Sequence, residues 1–526
     1  MRRVTVMDFP VRQRGIALLL LLAIVGMATI FALVAGLNKS AGDLARARER
    51  KTYAALAQAK AALIAYALTY KDTHDNPGKS YTVPGYLPCP DLGSPLIGEG
   101  AAAGSCGASL VSAIGRLPWK TLGLDPLKDG SGECLWYAVS GRYKNNPNRV
   151  SGNASISNMM NWDTDGQFAV VDGQGKTLAG SSPDDSAVAV ILAPGGALSG
   201  QDRAPAANTA SCGGHYAAGD YLESADGIDN SVVSRTAGAP STFIAGAASD
   251  TFNDKLAYVT RADIWNAIKK RADFNNYLRA MTRRAAECIA MYGSRNSKRS
   301  DRRLPWASSV LLSSSSLQTY AVNARHDDTA GRSYGRLPFS VDDSGRYSNN
   351  SISTGISEYG SRGAYIFTDS SYCSYTPEQK VWYENWKDQL FYAVARDFQP
   401  DASRWRRGNC PTCLSINGDG NYAALVIFAG DKLSDATGRV VQPRSRAGDK
   451  GSIANYLEGR NAGNYPDSEG DGDYETAAAS ETFNDIVYAI DDDLSVSCSD
   501  AAGVMRPVPV AAAAPPGNPA DYAACL

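Results

Sequence analysis

Five acidic side chains alternate within YPDSEGDGDYE: Asp467, Glu469, Asp471, Asp473 and Glu475, with Gly470 and Gly472 between them. Oxygen donors on a glycine-containing loop suit Ca²⁺, a hard cation that takes about six to eight oxygens. Asp467, Glu469, Asp471 and Asp473 are therefore the calcium candidates, and a solvated acidic loop is the plainer alternative. Cys410-Pro411-Thr412-Cys413 has the spacing of a redox or zinc half-site. No second CxxC and no nearby histidine accompanies it, and the pattern around it lacks the βαβ setting of a thiol-exchange enzyme. The pair reads as a structural disulfide in or from this loop. A serine or cysteine nucleophile needs a base, usually histidine. The chain has three, His74, His215 and His326, at unrelated positions, and it has neither G-x-S-x-G nor a P-loop. No catalytic residue is assigned, and an enzyme is not expected.

The 526 residues suffice for two to four domains at roughly 100–200 residues each. Lys and Arg (52) nearly balance Asp and Glu (54), for a formal charge of −2, which gives no reason to expect nucleic acid as a partner. Ten cysteines fit disulfides in an oxidising compartment. Cys89 and Cys106 flank a Gly/Ala-rich loop, and closing it stabilises by about 3 kcal/mol on a chain-entropy argument. The Pro/Ala-rich tail, residues 501–526, ends near Cys525, which can staple it to the body through Cys498. The clusters Trp382–Trp386 and Arg404–Arg407 are the better candidates for a surface that binds a ligand.

The N-terminus supplies the compartment. Arg2, Arg3, Arg12 and Arg14 precede a charge-free run from Ile16 to Leu37, roughly 33 Å of helix. That order predicts a cytoplasmic start, a single pass through the inner membrane and an exported body. A secretory signal cut after Ala35 and a plain signal anchor are the alternatives. Gly15 lies before the apolar run, and Arg12-Gln13-Arg14-Gly15 followed by Ile16-Ala17-Leu18-Leu19-Leu20 resembles the class III leader of type IV pilins and type II secretion pseudopilins. The resemblance implies a leader, residues 1–15, removed by prepilin peptidase, and methylation of Ile16. It also implies a helix half, residues 16–38, that serves as membrane anchor and then as filament core. The family usually has Glu at the fifth mature position, where this chain has Leu20. That departure points to a minor or tip subunit.

Beyond the apolar run, Ala41 to Tyr70 has high helix propensity, with Leu56, Ala59, Leu63, Tyr66 and Tyr70 on one stripe. An internal repeat then organises the body. The first copy has GRLPW (Gly115–Trp119), LWYAVS (Leu135–Ser140), AVAVILAPGGALS (Ala187–Ser199), DYLES (Asp220–Ser224) and DTFNDKLAYV (Asp250–Val259). The second has RRLPW (Arg302–Trp306) or GRLPF (Gly335–Phe339), then LFYAVA (Leu390–Ala395), AALVIFAGDKLS (Ala423–Ser434), NYLEG (Asn455–Gly459) and ETFNDIVYAI (Glu481–Ile490). Apolar, β-branched runs read as strands packed on a helix. A second amphipathic helix, Ala262–Tyr292, carries Leu278, Met281, Ala285, Cys288 and Tyr292 on its stripe. Asn253-Asp254 and Asn484-Asp485 sit where pseudopilin heads have a similar ending.

The expected architecture is α+β: a long N-terminal transmembrane helix, then two tandem pilin-like heads, residues 39–260 and 261–500, each a helix on an antiparallel sheet. The expected function is a minor pilin or pseudopilin-like structural subunit that initiates or caps a type IV pilus or secretion pseudopilus and presents an adhesive head. Its implied partners are prepilin peptidase, other pilins through the N-terminal helix, the inner membrane and a surface ligand. A membrane-anchored binding protein outside any filament, or a secreted enzyme with an unrecognised site, are the alternatives.

Overall fold

The computed structural model describes residues 41–144, 159–205, 209–294, 303–311, 320–321, 326–341, 364–365, 373, 375–400, 410–437, 439–463 and 472–508. Helix α1 (Ala41–His74) leads into a first sheet. Its strands are β1 (Ala113–Arg116), β2 (Trp136–Val139), β3 (Phe168–Asp172), β4 (Thr177–Ala179), β5 (Ala187–Ala193), β8 (Ser241–Ala245) and β9 (Lys255–Thr260). A two-stranded ribbon, β6 (Ser224–Ala225) and β7 (Ile228–Asp229), stands apart from it. Helices α2 (Arg261–Ile268) and α3 (Phe274–Ser294) follow. The second half holds β10 (Tyr334–Arg336), the pair β11 (Ser340–Val341) and β12 (Ala364–Tyr365), helix α4 (Pro377–Trp386) and β13 (Leu390–Val394). It continues through β14 (Leu414–Ile416), β15 (Asp419–Phe428), β16 (Asp473–Tyr474), β17 (Ile486–Asp491), β18 (Val496–Ser499) and β19 (Met505–Pro507).

The repeated blocks form equivalent strands in the same register. Gly115 faces Tyr137 and Arg116 faces Trp136; Gly335 faces Tyr392 and Arg336 faces Phe391. The same match holds one strand further, where Trp136 faces Leu192 and Phe391 faces Ile427. Of the two candidate openings of the second copy, GRLPF is the structural counterpart, and RRLPW forms no strand. Strands β2, β5 and β13 are buried along their whole length. Both faces of β2 are covered: Tyr137 and Val139 point into the main core, Trp136 and Ala138 into a second one behind the sheet. Burial on both faces is why these strands read as continuous apolar runs without alternation.

The expected fold is corrected on several counts. The described residues are mostly sheet and loop, and among them no helix is long and apolar enough to cross a membrane. The one 34-residue helix, α1, carries Arg46, Arg48, Glu49, Arg50 and Lys51 in its exposed first half, and its second half is buried in protein at Leu56, Ala59, Leu63 and Ala67. The expected single pass through the inner membrane is corrected by the same finding; the segment proposed for it, residues 16–38, lies outside the described residues. Neither sheet is purely antiparallel, since β3 pairs β8 and β14 pairs β16 in parallel. The single helix expected over Ala262–Tyr292 is two, broken between Ile268 and Phe274, where Arg271 binds Asp273 and reaches across to Asp72 of α1 at 2.6 Å. Thr260 caps α2, with Asp263 as its capping-box partner.

Nor are the halves tandem heads in the sense of separate bodies. Leu56 and Leu63 of α1, Ile264 and Trp265 of α2, Leu278 and Met281 of α3, and strands of both sheets line one hydrophobic core. Ion pairs tie the halves across that core: Lys71 to Glu378 at 2.6 Å, and Lys269 to Asp431.

Candidate functional site

The residues proposed for processing, Gly15 and Ile16, and the atypical Leu20 lie outside the described residues. So do Asp467, Glu469 and Asp471 of the calcium candidates. The fourth, Asp473, is placed in β16, where it binds Arg460 and accepts from Ser415 Oγ (2.8 Å) and the Gly418 amide (2.9 Å). Among the described residues no group of three His, Cys, Asp or Glu side chains is placed to hold a metal. Cys89 is bonded to Cys106 and Cys410 to Cys413, and two further bridges, Cys134–Cys212 and Cys288–Cys373, join cysteines whose pairing cannot be deduced from spacing alone. Cys498 is disulfide-bonded as well; Cys525 lies outside the described residues. Trp382, Tyr383 and Trp386, expected on a binding surface, are core residues. Trp382 and Trp386 stack at 4.9 Å and pack edge-on or tilted against Phe274, Trp265 and Trp162. Arg404–Arg407 lies outside the described residues.

What the structure brings together instead is one polar constellation, built twice. In the first copy Glu223 ends the DYLE block just before the β6–β7 ribbon, and Asn230 follows the ribbon. Asp254 stands immediately before β9. Asp254 Oδ2 accepts from the Glu223 amide (3.0 Å) and from Asn230 Nδ2 (3.0 Å), while Glu223 Oε2 accepts from the amides of Asn253 (2.9 Å) and Asp254 (3.1 Å). Gln201 donates to Glu223 Oε1, and Arg203 donates to Gln201, the Gly195 carbonyl and the Asp220 carbonyl. In the second copy Asp485 Oδ2 accepts from the Glu458 amide (3.1 Å) and Asn461 Nδ2 (2.9 Å), and Glu458 Oε2 accepts from the Asn484 amide (3.0 Å). Gln442 donates to Glu458, and Arg444 donates to Gln442, the Gly430 carbonyl and the Asn455 carbonyl. Each arginine also lies over the tyrosine of its block, Arg203 over Tyr221 at 4.7 Å and Arg444 over Tyr456 at 4.5 Å.

Glycine makes the closure possible. A Cβ on Gly195 would stand 2.4 Å from Asn253 Oδ1, and one on Gly430 would stand 1.8 Å from Asn484 Oδ1, so in each copy the asparagine rests against bare backbone. Burial, and then the facing glutamate, push the Asp254 and Asp485 carboxyls well above the ordinary carboxylate range. Each aspartate therefore holds its proton to a higher pH than a solvated carboxyl does, because burial and a neighbouring carboxylate both penalise its charged form. Raised carboxyls do serve acid–base catalysis on other folds. Here both aspartates are almost wholly buried, and among the described residues they accept from groups of their own copy. What the arrangement does chemically is clamp the loop holding the YLE block onto the start of the closing strand. Sequence reading found YLE and ND but missed the Q-x-R, Gln201-Asp202-Arg203 and Gln442-Pro443-Arg444, which recurs between the apolar strand and YLE in both copies.

A second polar centre lies on the seam between the halves. The segment Met160–Asp163, which has no repeat counterpart, is laid on residues 385–389. The Met160 amide donates to Asn385 Oδ1 (2.7 Å), Trp162 Nε1 to Gln389 Oε1 (2.9 Å) and Gln389 Nε2 to Asp163 Oδ2 (2.6 Å). Asp163 also faces Arg444 at 3.5 Å and Lys432 at 3.7 Å. Burial raises the Asp163 carboxyl, but Arg444, Lys432, Lys450 and Arg261 together hold it below the usual carboxylate range. The sequence reading made residues 163–166 a simple turn. A cavity of about 320 Å³ opens beside the seam, with Asp165, Gln167, Ser181 and Ser445 in its wall. No protein-family model, curated protein or solved structure matches this chain.

Proposed function

We propose that this chain is an exported, non-catalytic structural subunit of the pilin or pseudopilin kind, a minor or tip component that works in the periplasm or outside the cell. The observation that carries the reading is the basic leader whose Gly15 immediately precedes the apolar run beginning at Ile16. The body is compatible with it. Four disulfides among the described residues suit an oxidising compartment. The first turns of α1 stand clear of the core, with Leu44 and Tyr53 about half exposed among basic side chains, and this is the surface offered to neighbouring subunits. Prepilin peptidase is the processing partner in this reading. The N-terminal residue of the native protein tests it. Intact mass and N-terminal sequencing should give a methylated Ile16, and Gly15→Leu should leave the leader attached. A start at Met1 or at Gly36 overturns the assignment.

A further inference from the structure

The described disulfides differ in what guards them. Cys89, Cys106, Cys134, Cys212, Cys288 and Cys373 are all buried. Cys410 and Cys413 are half-buried, and the residues between them, Pro411 and Thr412, are exposed, so a reductant can reach this bridge from solvent. The bridge spans a sequence separation of 3, against 17, 78 and 85 for the others, so opening it frees the least chain and exposes the least core. The local fold does not depend on it either. The Cys413 amide donates to the Cys410 carbonyl (3.2 Å), and the following strand is held by pairing of Leu414 with Tyr422 and of Ser415 with Asp473. Both sulfurs therefore stay within reach of each other after reduction.

We propose that Cys410–Cys413 is a thiol–disulfide exchange site, which takes two electrons from a dithiol and returns them, while the other described bridges stay closed. A thiolate of the dithiol attacks one sulfur of the pair, the Cys410–Cys413 bond breaks, and the departing cysteine leaves as a thiolate. The second thiol of the reductant then attacks the mixed disulfide. This releases the oxidised cyclic disulfide, and with the two protons of the original dithiol the protein keeps two cysteine thiols. Accessible disulfides are the labile ones in general, because attack needs an in-line approach to sulfur.

The test is stepped reduction of the full chain with dithiothreitol, followed by iodoacetamide alkylation and peptide mapping, with far-UV circular dichroism on the same samples. Cys410 and Cys413 should be alkylated at dithiothreitol concentrations about tenfold or more below those that label the three buried pairs, with the spectrum unchanged. A double variant, Cys410→Ser with Cys413→Ser, should keep the fold and lose the low-threshold labelling. Labelling of a buried pair at the same or a lower concentration overturns the proposal. So does labelling of Cys410 and Cys413 only where the spectrum shows unfolding.

Discussion

The two buried Glu–Asp pairs make the stability of this protein depend on pH in a direction opposite to that of an ordinary salt-bridged carboxylate. In the unfolded chain an aspartate titrates near about 3.9. In the folded protein Asp254 and Asp485 hold their protons well above that value, because of burial and the glutamates beside them. Between those limits the folded state binds protons that the unfolded state does not. The stability they contribute is thus complete below about pH 4 and falls as pH rises toward the folded values, by about 1.4 kcal/mol per pH unit for each pair. The informative variants are Asp254→Asn and Asp485→Asn. An amide keeps the oxygen that accepts from the Glu223 amide and Asn230, and it sets an N–H where Asp254 has an Oδ1 with no hydrogen-bond partner. Reversible urea unfolding of the wild type and each variant at several pH values from 4.5 to 7 gives the difference directly. Each single variant should gain on the wild type as pH rises, by up to about 1.4 kcal/mol per pH unit while the folded aspartate keeps its proton, and the double variant by up to about twice that. Carboxyls held low elsewhere, such as Asp263 and Asp273, cancel in the difference. A wild-type-minus-variant gap that stays constant with pH refutes a raised aspartate in that copy.

Two further outcomes follow from close contacts. Gly335→Ala would set a Cβ 2.0 Å from the Ser308 carbonyl oxygen, backbone that cannot swing away, so a loss of about 1–3 kcal/mol is expected in urea unfolding. Asp163→Asn leaves Lys432 and Arg444 facing an amide across the seam and should cost about 3–5 kcal/mol at pH 7. Because Asp163 titrates below its unfolded value, that cost should shrink as pH falls below about 4, a trend read from the same unfolding curves.

Much of the fold was legible because its strands are unusually dry. Runs such as Ala187–Ala193 and Leu390–Val394 are covered on both faces, so composition alone marked them, and the repeat set their order. The stripe on α3 was legible for the same reason: Leu278, Met281, Ala285, Cys288 and Tyr292 are all buried. What could not be read was set by partners far along the chain. Asn161 and Trp162 are buried by residues more than two hundred positions away, and nothing local separates them from a surface turn. Aromatic density in Trp382–Trp386 is the same whether the rings are shown to solvent or stacked inside. Asn253-Asp254 stood out as a motif, but its meaning needed Glu223 and Asn230, brought beside it only by the ribbon between them.

The core common to α1, α2 and α3 has a consequence for how such a molecule can change. Each half is the lid of the other, so neither can be traded, lost or swapped for a relative without leaving an oily wound on the one that remains. Novelty must therefore enter through the outer loops, where insertions disturb no shared wall. A nick between Thr260 and Arg261 would leave two fragments that still fit each other.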